Sequence, residues 1–134
     1  MAIKWTEELS VGVELIDQEH QLMFEKAGQL FDAGKKGQAK EEIASMLLFL
    51  DEYTKKHFAD EEKYMASVSY PELEKQKTMH RGFIGELDKL KKDYIDSGSN
   101  IAVIMNANQM VIDWLVKHIA NEDKKIGDYV RTMK

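Results

Sequence analysis

The chain has 134 residues, a length that suits one domain able to bury its own core. Apolar residues make up 43% and charged residues 32%, a balance that excludes a disordered chain. There is no cysteine, which excludes disulfides, thiolate metal sites, iron–sulfur clusters and a cysteine nucleophile; the net charge of −5 comes without a basic stripe, against nucleic acid or an anionic membrane surface as partner.

The opening run Met1-Ala-Ile-Lys-Trp-Thr-Glu-Glu8 has no apolar leader, and no segment approaches the roughly 18 apolar residues of a membrane span. The expectation is a soluble, cytoplasmic protein with one domain over residues 1–134. A single proline and eight glycines favour helices. Three breaker clusters divide the chain: Gly34-Lys-Lys-Gly37, Ser67-Val-Ser-Tyr-Pro71 and Asp96-Ser-Gly-Ser-Asn100.

The first 16 residues read as an arm on the outside of the fold, anchored by Trp5 and Val11. A first helix is predicted from about Asp17, as its cap, to Ala33, with Ile16, His20, Met23, Phe24, Ala27, Leu30 and Phe31 on one face. A second runs from about Gln38 to Ala66, with Ile43, Met46, Leu47, Leu50, Tyr53, His57, Glu61 and Tyr64 in line. A third runs from Pro71, suited to a first turn, to Ile95, with Leu73, Gln76, His80, Phe83, Leu87 and Leu90 in line. A fourth runs from Ile101 to Ile119, with Ile104, Val111, Trp114, Leu115 and His118 in line, and a short fifth spans Asp123 to Arg131. All recur at i, i+3, i+4, i+7. The fold class is all-α: an up-down-up-down four-helix bundle with an N-terminal arm and a short C-terminal helix.

The polar residues on the inward faces carry the chemistry. All four histidines are there, one per helix: His20, His57, His80 and His118. A single inward histidine is usually a satisfied core residue, but four imidazoles in one small core need partners for eight ring nitrogens. Metal supplies what hydrogen bonds rarely can. His57 and Glu61 stand at i, i+4 on one face, and a buried glutamate is costly unless it is paired or ligates a cation. Its neighbour Glu62 reads as solvated surface. His118 and Asp123 are five apart, about 140° around a straight helix, so both reach one site only if the helix kinks or ends between them, with Asn121 a candidate break. On spacing alone Asp123 serves equally well as the cap of the last helix. Imidazole with carboxylate and no thiolate suits non-haem iron, manganese or zinc. Six such groups are too many for one tetrahedral zinc and suit two metals sharing carboxylates.

These segments resemble a known family. Trp5 with Ser10-Val-Gly-Val13, Ile16-Asp-Gln-Glu-His20, His57-Phe-Ala-Asp-Glu-Glu62, Tyr70-Pro71 followed by His80, and Trp114-Leu-Val-Lys-His-Ile-Ala-Asn-Glu-Asp123 are similar to hemerythrins, specifically the single-domain bacterial ones. The resemblance covers nearly the whole chain. It implies a non-haem di-iron centre with an oxo or hydroxo bridge, one iron taking His20 and His57, the other His80 and His118, with Glu61 and Asp123 bridging. It also implies a dioxygen binder used as carrier, store or sensor.

One family ligand is missing. The family's third helix carries His-x-x-x-His, whereas this chain reads Gln76-Lys-Thr-Met-His80, and no fifth histidine exists. Glu72 and Glu74 are off that face. Gln76 either fills core space, ligates through its amide oxygen, holds a water, or leaves a five-coordinate iron. The last outcomes open both irons, so faster autoxidation is expected, and an enzyme acting on peroxide, dioxygen or nitric oxide is the alternative. Met23, Phe24, Trp114, Leu115 and Ile119 are expected to make a dry pocket, with Asp17 and Tyr64 as further partners of the ligands.

Overall fold

A computed structural model describes residues 5–37, 40–96 and 100–132. After a single 3₁₀ turn at Glu7–Leu9 come five α-helices: α1 (Glu14–Lys36), α2 (Lys40–Ser67), α3 (Leu73–Asp96), α4 (Ile101–His118) and α5 (Lys124–Thr132). Helix α1 packs on α2 and α4, and α3 packs on the same two, which closes a four-helix ring. Short connections make sequential helices antiparallel neighbours. No strand occurs among the described residues, and none of the helices is long and apolar enough to cross a membrane. The predicted start of α2 at Gln38, the Ser97–Ser99 breaker, and the side chains of Ile101 and Ile104 lie outside the described residues.

The helix ends follow local chemistry. Helix α1 runs through Gly34, where a break was expected, and stops at Gly37, a left-handed residue whose N–H returns to the carbonyls of Ala33 and Gly34. Helix α2 closes in the same manner at Ser69 (φ 56°), with the Tyr70 N–H bonded to the Met65 carbonyl at 2.9 Å. Helix α3 starts at Leu73, two residues after Pro71, which lies in the preceding turn. Asn100 caps α4 by accepting the Ala102 N–H at 2.8 Å.

Asp17 does not cap α1, which starts three residues earlier with Val13 at the cap position. Its carboxylate instead accepts the Ser10 hydroxyl at 2.6 Å and the Val11 N–H at 2.8 Å. An acid in the first turns is favoured by the helix dipole, and here it ties down the arm. Val11 is buried, and Trp5 packs against the core, as expected. The Val11 carbonyl lies where a Cβ on Gly127 of α5 would sit, so the arm crosses α5 only because residue 127 has no side chain.

Two stability predictions follow from these contacts. Gly127→Ala should cost about 1–3 kcal/mol by forcing arm and helix apart. Ser69→Gly should gain about 1 kcal/mol by removing a left-handed non-glycine residue. Urea unfolding of both variants checks the two signs.

Candidate metal centre

The four histidines and two acids singled out in the sequence converge in the bundle core. His20, His57, Glu61, His80, His118 and Asp123 are all buried, none more than 6% exposed. They form two groups able to hold a metal ion: His20, His57, Glu61 and Asp123, and Glu61, His80, His118 and Asp123. Both acids are shared. Glu61 Oε2 lies 3.7 Å from His20 Nε2 and 3.5 Å from His57 Nε2, while its Oε1 lies 3.0 Å from His80 Nε2. Asp123 Oδ2 lies 3.2 Å from His20 Nε2, and its Oδ1 lies 3.2 Å from His118 Nε2. Ligand atoms each about 2.1 Å from one ion stand roughly 3–4 Å apart, so these separations match a shared cation.

The backbone solves the i, i+5 problem of His118 and Asp123 by widening. Residues Ile119–Asp123 form one π turn, entered from α4 and left into α5 with right-handed dihedrals at both ends. A π turn inserts one residue into a helix, and so brings the fifth residue back to the starting face. The expected break at Asn121 is absent: Ser69 is the only non-glycine residue with positive φ among those described, and Asn121 is exposed. Asp123 therefore caps nothing and lies in the core.

Hydrogen bonds then fix the imidazoles. His57 Nδ1 meets Glu19 Oε1 at 2.8 Å, and His80 Nδ1 meets Glu62 Oε2 at 2.8 Å. Glu19 is 4% exposed and is held from outside by Lys56 at 3.3 Å. With Nδ1 donating to these acids, a neutral His57 or His80 turns its Nε2 lone pair toward Glu61. Acceptors then face acceptors. Both oxygens of Glu61, Nε2 of His80 and Nε2 of His118 lack a hydrogen-bond partner. Only positive charge between them resolves this, and the donor set fits divalent cations.

The electrostatics agree. Burial alone would push the His57 pKa down, but the charge of Glu61 and the Glu19 hydrogen bond outweigh it and raise it to about 10. Burial would raise Asp123, yet His118 and His20 beside it, which can bring protons, hold it far below the carboxylate range. Glu61 is held down in the same way by His57 and His80, against burial and the charge of Asp123.

Gln76 is also in the core, 1% exposed. Its Nε2 donates to Asp123 Oδ1 at 3.1 Å, and its Oε1 has no partner. Glu74 is solvent-exposed and Glu72 pairs with Lys75, as their helical phase requires. Around the second group the rings stack. Phe58 lies 3.9 Å from His80 at 4°, Trp114 lies 4.3 Å from His118 at 13°, and Phe83 lies 4.1 Å from Trp114 at 16°. Met23, Phe24, Leu115 and Ile119 are buried as expected, while Trp114 is half-buried.

Two expectations fail. Glu62, a quarter exposed, does more than sit in solvent, and the partners of the imidazoles are Glu19 and Glu62 rather than Asp17 and Tyr64. Asp17 is committed to the arm, and Tyr64 lines a surface groove with Leu15, Asp60 and Lys63. The missed signal was a step of one residue. Glu19 precedes His20 and Glu62 follows Glu61; one residue turns 100° around a helix, away from the core centre and toward the adjacent helix. Each acid thus serves a histidine on the neighbouring helix. Glu19→Gln and Glu62→Gln should each weaken cation affinity 10–100-fold, measured by chelator competition. The loss should be larger for the more buried Glu19, because it is less screened.

Comparison with known proteins agrees with this site. Residues 11–130 match the family model described as Hemerythrin HHE cation binding domain. A bacteriohemerythrin of Clostridium acetobutylicum is 29% identical over 127 residues, covering 92% of this chain and 98% of that protein. One from Campylobacter jejuni is 30% identical over 123 residues, covering 90% of each. A crystal structure of wild-type hemerythrin superposes with a TM-score of 0.86 at 29% identity, covering 96% of this chain and 97% of that one. With family model, relatives and fold in agreement, the chain belongs to the hemerythrin family.

Proposed function

We propose that this chain, as one domain over its 134 residues, is a non-haem di-iron protein that reversibly binds dioxygen or a similar small diatomic ligand. One observation carries the reading. Glu61 and Asp123 each offer one oxygen to either of two buried groups, and each group holds two histidines. In this reading His20 and His57 would hold one iron, His80 and His118 the other, and Glu61 and Asp123 would serve both. A pair of ferrous ions, when bound, supplies the two electrons with which dioxygen is held.

The chain's own residues do the rest. Glu19 and Glu62 keep the Nδ1 protons of His57 and His80, which leaves Nε2 as the ligating nitrogen. Met23, Phe24, Phe58, Leu115 and Ile119 keep bulk water from the core. Phe58 and Trp114 fix the planes of His80 and His118 by stacking. Gln76 orients Asp123 by donating to Oδ1, and its unpartnered Oε1 would be available as a neutral oxygen donor to a metal held by His80 and His118. The role is carrier, store or sensor, in a protein that works in the cytoplasm.

The same Oε1 favours a second reading. An amide oxygen binds iron more weakly than imidazole does, and leaves the second iron easier to open. A di-iron enzyme acting on peroxide, dioxygen or nitric oxide would use that opening.

Iron per chain and absorption spectra, taken after anaerobic reduction and again after air, separate the readings. Two irons with a reversible oxygenated spectrum support the binder. Two irons that pass directly to the oxidised spectrum support the enzyme, and one iron or none sinks both. Gln76→His should slow spontaneous oxidation of the oxygenated form several-fold. No change in its lifetime would remove Gln76 from the site.

A further inference from the structure

Two buried polar groups on α2, in the turns that precede His57, remain unused. Asp51 and Thr54, on α2, are 2% and 0% exposed. Asp51 Oδ2 is held by Lys91 at 2.8 Å and Lys55 at 3.2 Å, but its Oδ1 has no hydrogen-bond partner. Thr54 Oγ1 has none either. A threonine inside a helix usually bonds the carbonyl one turn back, and this one does not. Asn108, another buried polar side chain outside the centre, is committed to the Ala27 carbonyl at 2.7 Å.

The two orphan groups define a direction. Residues three apart on a helix are neighbours about 5–6 Å apart at Cβ, a span that one water bridges. The outer end is wet: the side chains of Lys55, Lys91 and Asp88 are 43%, 26% and 51% exposed, and Asp88 pairs with both lysines. The inner end is the centre itself. Thr54 precedes His57 by three residues and Glu61 by seven, so Leu50, Thr54, His57 and Glu61 form one stripe, none more than 1% exposed. A carboxylate oxygen and a hydroxyl left dry and out of reach of each other would each carry the full penalty of a lost hydrogen bond.

We propose that Asp51 and Thr54 hold buried water between them, and that this polar file is the proton inlet from the α2–α3 surface to the centre. The proton role rests on the di-iron reading above. It bears on spontaneous oxidation: two ferrous ions each give one electron, dioxygen takes both together with two protons, and hydrogen peroxide leaves with two ferric ions behind. The two protons must reach a core that solvent does not enter; the Glu19–Lys56 and Glu62 links end on Nδ1 of His57 and His80, and the Asp51–Thr54 file is a separate polar line that starts at the α2–α3 surface.

The test compares wild type with Thr54→Val, which keeps the shape and removes the hydroxyl, and Thr54→Ser, which keeps the hydroxyl. Thr54→Val should lower the melting temperature by about 3–6 °C, because the water loses a partner and Asp51 Oδ1 is stranded. A rise would mean that Oγ1 sat in a dry slot, and would overturn the water site. Thr54→Val should also slow oxidation of the oxygenated protein at least threefold at fixed pH and equal iron content, with Thr54→Ser restoring the rate. A lower melting temperature with an unchanged oxidation rate would overturn the inlet while leaving the water. Wild-type protein without two irons would overturn the di-iron reading, and with it the proton role. The melting comparison, done on metal-free protein, would still decide the water site.

Discussion

Two carboxylates, Glu61 and Asp123, lie at the middle of the core with 0% and 1% exposure, close enough for one histidine, His20, to face both. Taking two negative charges out of water beside each other is among the costliest arrangements a small core can hold. Most of what is unusual in this bundle answers that cost. Each helix of the ring sends one imidazole to the pair, and each acid divides its oxygens between two histidine pairs. The histidines can bring protons or the site can bring cations, and the upward shift of His57 to about 10 measures how strongly the acids demand one or the other.

The same demand reaches outward in layers. An imidazole that presents Nε2 to a cation must place its Nδ1 proton somewhere, and in the core only another acid accepts it well. Glu19 and Glu62 take that role, and Lys56 then balances Glu19 at the surface. Charge is thus compensated in alternating steps from the centre to solvent. The aromatic rings complete the support on the His80 and His118 side, where stacking adds to the Glu62 hydrogen bond of His80. The two halves of the site are therefore built differently, with Glu19 backed by Lys56 on one side, and Glu62 together with a stacked aromatic wall on the other.

Helix identity and the inward histidines were legible because both rest on local rules. Apolar periodicity sets which face is buried, and His20, His57, His80 and His118 fall on those faces by counting. Glu61 followed from its phase with His57. Three features were not legible from helical counting, each for a physical reason, although the family resemblance did point to Asp123. Asp123 reaches the core through a π turn, and a 3.6-residue count cannot anticipate a turn that departs from it. Glu19 and Glu62 point between helices, so their partners are set by which helix packs alongside. Asp17 looked like a helix cap, but the arm folded back and took its carboxylate.

The sequence by itself determined an all-helical bundle, the residues that line its core, and the chemical class of the site, because helical phase and side-chain chemistry are properties of single segments. The sharing of Glu61 and Asp123 between two histidine pairs was implied by the family resemblance and not by local spacing; the tertiary structure alone decided that Gln76 is tied to Asp123 rather than merely filling space, and that the imidazoles of His57 and His80 are fixed by acids from adjacent helices. Those are distances between segments far apart in the chain. They are set by helix packing and by one extra residue in a turn, which no local pattern encodes.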